Sequence, residues 1–163
     1  MNKLIITEKP SVAQAIAAVV GALARKDGYF EGGGYIVGWC LGHLAQLVRA
    51  EAYDPQLSRW RVADLPILPQ DWRYRVPQDK RKQFGILRGL MLRDDVSQVI
   101  NACDAGREGE LIFRNLYELT GCTKPTLRLW LNSMEEVEIR RALGELRPGS
   151  DYDRLFAAAR CRE

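Results

Sequence analysis

Three carboxylates fall within seven residues in Asp104-Ala-Gly-Arg-Glu-Gly-Glu110, and a fourth, Glu8, opens Glu8-Lys9-Pro10-Ser11 near the start of the chain. Acids this close repel one another, so a cation should stand among them. Mg²⁺ fits the pattern, being a hard ion held by a few carboxylates plus substrate phosphate oxygens. Acidic residues also favour the first turn of a helix, where they meet the positive end of its dipole. That second reading explains Glu108 and Glu110 but leaves Asp104 and the glycines around it unexplained. Glu8 taken alone reads as a surface glutamate beside a lysine. His43, in Gly42-His43-Leu44, is the one histidine of the chain, and a lone histidine is more often a structural hydrogen-bonder than a catalyst. A Ser–His–Asp or Cys–His mechanism therefore has little to draw on. Neither G-x-x-x-x-G-K-[ST] nor a strand-linked G-x-G-x-x-G occurs, so those phosphate loops have no support.

The elements around these residues give the acids a common address. Val96 to Cys103 is β-branched and apolar, which predicts a buried strand, and Ile112, Leu116 and Leu119 recur at helical spacing after Ala105-Gly106. Asp104 thus sits where a strand stops and a helix starts. Lys3 to Thr7 is a second short strand, and Lys9, preceding a proline, is pushed out of the helical region. Pro10 and Ser11 open an alanine-rich helix over Val12 to Val20 that Gly21 stops. Two strand–helix units, each with an acid at the strand exit, can place both acids on one rim of a parallel sheet, where α/β folds bind ligands.

Gly32-Gly33-Gly34 predicts a tight turn between Tyr29–Glu31 and Tyr35–Cys40, a β-hairpin inserted after the first helix. Residues 50 to 79 carry four prolines and two tryptophans, Trp60 and Trp72, without periodicity. Such a stretch is usually a functional or covering loop, expected here to pack over the domain by its aromatic residues. Lys80 to Arg93 reads as an amphipathic helix with Phe84, Leu87, Leu90 and Met91 on one face. Its basic side could track phosphates, though such a face is more often simply solvated. Thr126 to Leu131 is a further strand, and Ser133-Met-Glu-Glu136 reads as a capping box opening a helix to about Arg147. A last helix, capped by Ser150, is still running at Glu163, so the sequence reads as a piece of a longer protein.

Strands alternating with helices predict an α/β fold: a mostly parallel sheet, helices on both faces, and the inserted glycine-rich β-hairpin. The length of 163 residues suits one domain, with 150–163 as the start of a helix leading into a further one. No apolar run approaches the ~20 residues of a membrane span, and the N-terminus shows no signal peptide. Cysteines 40, 103, 122 and 161 have no zinc spacing and read as reduced cytoplasmic thiols. A net charge of +3 is too small to prove a nucleic-acid partner, but the basic residues are mostly arginine, which suits phosphate.

Glu8-Lys9-Pro10-Ser11 after the first strand, paired with Asp104-Ala-Gly-Arg-Glu-Gly-Glu110 after a later one, resembles the Toprim domain of type IA DNA topoisomerases, most nearly the topoisomerase III-type enzymes. The likeness runs through Gly42-His43-Leu44 and Leu129 to Glu136, and so covers nearly the whole chain. It implies an enzyme, an isomerase, that cuts one DNA strand with a tyrosine, passes another strand and reseals the break. The resemblance makes Asp104 and Glu108 Mg²⁺ ligands with Glu8, makes Glu8 a general acid/base, and sets Lys9 against the phosphate charge. Lys9, His43, Arg107 and Arg162 are the DNA-binding candidates. The implied partners are single-stranded DNA and the remaining domains of the parent enzyme, with no membrane, in a cytoplasmic monomer. The family's usual central motif has a second aspartate where this chain has Gly106, and its tyrosine lies beyond residue 163. The piece alone is therefore expected to be inactive. The alternatives are a Toprim-type Mg²⁺-dependent nuclease, with water in place of the tyrosine, and a non-catalytic nucleic-acid-binding module.

Overall fold

The computed structural model describes residues 1–163 and is built on a seven-stranded sheet. Its strands are β1 (Asn2–Thr7), β2 (Ala24–Lys26), β3 (Tyr29–Gly32), β4 (Tyr35–Trp39), β7 (Val96–Asn101), β8 (Thr126–Arg128) and β9 (Arg147–Pro148). A separate two-stranded ladder joins β5 (Gln46–Leu47) to β6 (Tyr74–Arg75). The sheet order is β2-β3-β4-β1-β7-β8-β9. Its four central strands, β4-β1-β7-β8, run parallel, and the remaining strands pair antiparallel at the two edges. The predicted class, mostly parallel with helices on both faces, is what the chain adopts.

The helices are α1 (Pro10–Val20), α2 (Arg81–Leu92), α3 (Arg107–Thr120), α4 (Glu136–Gly144) and α5 (Asp153–Arg160). Side chains alternate across a strand, so each parallel strand feeds two cores. Leu4 and Ile6 of β1 join Leu87, Met91, Phe113 and Leu116 of α2 and α3 on one face. Ile5 joins Ala13 and Ile16 of α1 and Ile139 of α4 on the other. Full burial of each such aliphatic chain contributes roughly 1.5–3 kcal/mol. The last helix, α5, lies on α3 through Phe156 and Ala159 against Leu111. No helix is long and apolar enough to cross a membrane.

The glycine turn forms as expected, with Gly33 and Gly34 at φ 58° and 79°. At Gly33 a Cβ would stand 2.5 Å from the Val20 carbonyl oxygen, so the turn also seats the end of α1. The second arm of that hairpin is more than an insertion, because β4 is the parallel partner of β1 in the centre of the sheet.

Three expectations are corrected. The stretch after β5 is an excursion of short 3₁₀ turns whose tryptophans are not packed down on the sheet: Trp60 and Trp72 are 55% and 49% exposed. The capping box does not form. Ser133 Oγ instead accepts from the Glu135 amide at 3.2 Å, and α4 begins at Glu136. That helix also ends at Gly144, short of Arg147, because Arg147–Pro148 pairs with β8 as an edge strand.

Candidate active site

Glu8 and Asp104 leave adjacent parallel strands, β1 and β7, at the same rim of the sheet. The turn after β1 is fixed locally. Lys9 is extended (φ −125°, ψ 146°) ahead of Pro10, and the Thr7 hydroxyl lies within hydrogen-bond distance of the Lys9 and Gly38 carbonyls. The result sets Lys9 Nζ 2.8 Å from Asp104 Oδ2 and 3.9 Å from Glu8 Oε1, one ammonium between two acids. Burial, and secondly the Asp104 charge, raise the Glu8 pKa above its ordinary value, while Lys9 and His43 oppose the rise. The hydrogen bond to Asp104 raises that of Lys9. Glu8 thus keeps its proton to a higher pH than a free glutamate does.

His43 reaches the same rim by a backbone device that the sequence conceals. Leu41 and Gly42 both take positive φ, 56° and 74°, folding the chain back after β4, and Lys80 Nζ donates to the Leu41 carbonyl at 3.1 Å. His43 Nε2 then meets Glu108 Oε1. Asp104, Arg107, Glu108, His43 and Arg162 together border a cleft of about 540 Å³. The DNA-binding candidates His43, Arg107 and Arg162 therefore share one cleft wall, and Lys9 stands beside them on Asp104.

Glu110 has no place there. It is 1% exposed, held by Arg114 Nε at 2.9 Å and Asn101 Nδ2 at 2.9 Å, with Arg128 Nε 3.1 Å away but off the line of a hydrogen bond. Of the three neighbouring acids, helical spacing turns this one inward, away from Asp104 and Glu108. Its partner Arg128, also 1% exposed, donates to the carbonyls of Asn101, Cys103, Leu129 and Asp104 at 2.8–3.1 Å. Arg128 thus pins the backbone that carries Asp104. Sequence reasoning passed over it. The available signal was a lone guanidinium in the otherwise apolar strand Thr126 to Leu131.

The two glycines of the motif differ in kind. A Cβ at Gly109 would lie 2.1 Å from the Asp104 carbonyl oxygen, so only glycine lets α3 approach that closely. Gly106, the N-cap of α3, is extended at φ 161° and has no atom within 4 Å of where a Cβ would be.

Residues 3–134 match the Toprim domain family. The chain belongs to that family. The Toprim chain is 42% identical to DNA topoisomerase 3 of Bacillus anthracis and of Bacillus thuringiensis (strain Al Hakam) over 161 residues, 99% of its length. It is 39% identical to DNA topoisomerase 3 of Bacillus subtilis (strain 168) over 159 residues. It spans 22% of the length of each of these relatives. Among solved structures it is similar in fold to full-length topoisomerase I from Thermotoga maritima, with a TM-score of 0.56 at 20% identity, covering 89% of this chain and 21% of that one.

The Toprim rim suits a hard divalent cation in its donor chemistry, carboxylate oxygens beside an open cleft. In number it is lean. No three His, Cys, Asp or Glu side chains are set as a cage; Lys9 engages Asp104 and His43 engages Glu108. Both partners, Lys9 and His43, are partly solvent-exposed side chains.

Proposed function

We propose that this chain is the acid-bearing half-site of a type IA DNA topoisomerase that cuts, passes and reseals single DNA strands. The observation that carries the reading is the ammonium of Lys9 set between Glu8 and Asp104 at adjacent strand exits. The identity to DNA topoisomerase 3 of several bacilli supports it. In this reading residues 1–163 form one Toprim domain of a cytoplasmic monomer, and 150–163 lead toward further domains that carry the nucleophilic tyrosine.

Phosphoryl transfer depends on positioning and charge more than on covalent help from the protein. Lys9 faces the non-bridging oxygens of the scissile phosphate and offsets the charge that builds there. Glu8, whose burial favours its protonated form over that of a free glutamate, gives its proton to the leaving oxygen and takes one back on resealing. Arg107 and Arg162 bind the flanking phosphates, and His43 orients Glu108. Asp104 and Glu108, with Glu8, would hold Mg²⁺, which when bound supplies further positive charge to the phosphate oxygens. Arg128 keeps the Asp104 backbone in place.

The test uses negatively supercoiled plasmid with Mg²⁺. The 163-residue chain should neither relax it nor form a covalent adduct, while a longer protein carrying both this chain and the tyrosine domain does both. In that longer protein Glu8→Gln should slow cleavage by about 10²–10⁴. Cleavage undiminished by Glu8→Gln would overturn the assignment, and nicking without an adduct by the short chain would favour the nuclease.

A further inference from the structure

Leu41, beside the acid rim, holds a backbone conformation that leucine does not favour. Its φ of 56° is left-handed, where the Cβ of any residue but glycine crowds the backbone. Apolar packing does not hold it there, because Leu41 is 45% exposed. Strained backbone of this kind persists only where its surroundings over-determine it, and it gathers at functional sites. Three hydrogen bonds do so here. The Cys40 amide donates to the Thr7 carbonyl at 2.8 Å and the Gly42 amide to the Glu8 carbonyl at 3.3 Å, tying both neighbours of Leu41 to the exit of β1. The Leu41 carbonyl between them accepts from Lys80 Nζ at 3.1 Å, across 39 residues of sequence.

Lys80 is itself oddly placed. It is the N-cap of α2, a helix with no acid in its first turn, so its charge stands at the end of the dipole that disfavours it. His43 comes two residues after Leu41, and its ring meets Glu108. The Glu108 side chain is 68% exposed, so little but the backbone behind His43 sets that pair. We infer that Lys80 is a positioning residue for the reaction proposed above: through the Leu41 carbonyl it holds the left-handed turn that sets His43 against Glu108. This rests on the half-site reading and deepens it. The ammonium acts as a strong donor to one carbonyl. Without that bond Leu41 relaxes toward negative φ, the residues after it turn with it, and His43 leaves Glu108. A lysine that served only to start α2 would leave His43 in place.

The experiment reads the contact between His43 and Glu108 in the 163-residue chain. His43 is the one histidine, so its ring protons are unambiguous, and their nuclear Overhauser effect to the Glu108 methylene protons reports the distance. Lys80→Met keeps the aliphatic stem and loses the donor. The effect should fall by half or more while the amide spectrum of the sheet stays that of the parent. Lys80→Arg, which still donates, should restore most of it. Lys82→Met removes a neighbouring cation that pairs with Asp27 and should change nothing. Glycine takes the left-handed conformation without steric cost, so Lys80→Met should weaken the contact less when Leu41→Gly is also present. In a longer protein carrying the tyrosine domain, Lys80→Met should slow cleavage at saturating DNA by about tenfold or more, with KM little changed. Should Lys80→Met not fold, Lys80→Gln, whose side chain falls short of the Leu41 carbonyl, makes the same test. An undiminished contact in the folded variant, or one lost with cleavage unaffected, overturns the positioning role and leaves the half-site standing. Cleavage undiminished by Glu8→Gln is the separate result that overturns the half-site.

Discussion

Glu8 is a carboxylate whose surroundings disfavour its charge. Its raised pKa means that the folded chain binds the proton more tightly than the unfolded chain does. By linkage, stability then falls as pH rises from the ordinary glutamate range through the folded-state pKa. Glu8→Gln removes the charge, so the variant should melt higher than the parent at pH 7, and the gap should close toward pH 4, where both states are protonated. Thermal melts across that range check the sign, and a gap independent of pH would mean the carboxylate is not under strain. The two motif glycines make a paired prediction. Gly109→Ala drives a Cβ into the Asp104 carbonyl and should cost roughly 1–3 kcal/mol or more. Gly106→Asp meets open space on an extended backbone, so it should melt within about 0.5 kcal/mol of the parent without metal. With its extra carboxylate at the rim it should also be stabilised more by added Mg²⁺. An unchanged Mg²⁺ response would place position 106 off the metal.

Among the elements, the junction of β7, α3 and β8 decides where Asp104 sits. Glu110 on α3 and Arg128 on β8 are both nearly inaccessible, and a buried ion left without its partner typically costs 3–5 kcal/mol. Glu110→Leu should therefore destabilise the chain by about that much. The double variant with Arg128→Met should recover only part of the loss. Arg128 also satisfies the carbonyls of Asn101, Cys103, Leu129 and Asp104, and no apolar side chain can replace those bonds. Amide hydrogen exchange at residues 104 to 106 should quicken in the double variant more than in the rest of β7. Uniform exchange along the strand would show that Arg128 is merely packed there. Burial lowers the Arg128 pKa from its ordinary value, with the Glu110 charge first among the groups opposing it.

At the scale of the molecule, the sheet and its two cores stand apart from the excursion between β5 and β6. No residue from 46 to 82 is buried, and the excursion is closed at its base by the β5–β6 ladder and the Val48 amide on the Arg73 carbonyl at 2.9 Å. Replacing residues 50–70 with a short glycine–serine turn should leave the melting temperature within a few degrees, because a surface loop contributes little apolar burial. A cooperative melt lowered by much more would show that the excursion braces the sheet.

The sequence by itself determined the strand–helix units and the two strand exits, and it singled out Glu8, Lys9, Asp104 and Glu108 as candidates. Those readings rest on local rules: apolar periodicity, a residue extended before proline, glycine at a helix end. It also carried the family likeness, because two short motifs at a set separation are rarely accidental. Tertiary structure alone decided the rest. Glu108 and Glu110 are two residues apart and chemically alike, yet helical rotation aims one at the cleft and the other at a buried arginine. Arg128 lies 24 residues from Asp104 in sequence and is joined to it only because β8 runs parallel beside β7. Trp72 and Tyr74 meet the end of α5 across nearly ninety residues of sequence, as the Tyr74–Glu163 bond shows. Such contacts depend on which strands become neighbours, and hydrophobic periodicity records which face a residue takes without recording whom it meets there.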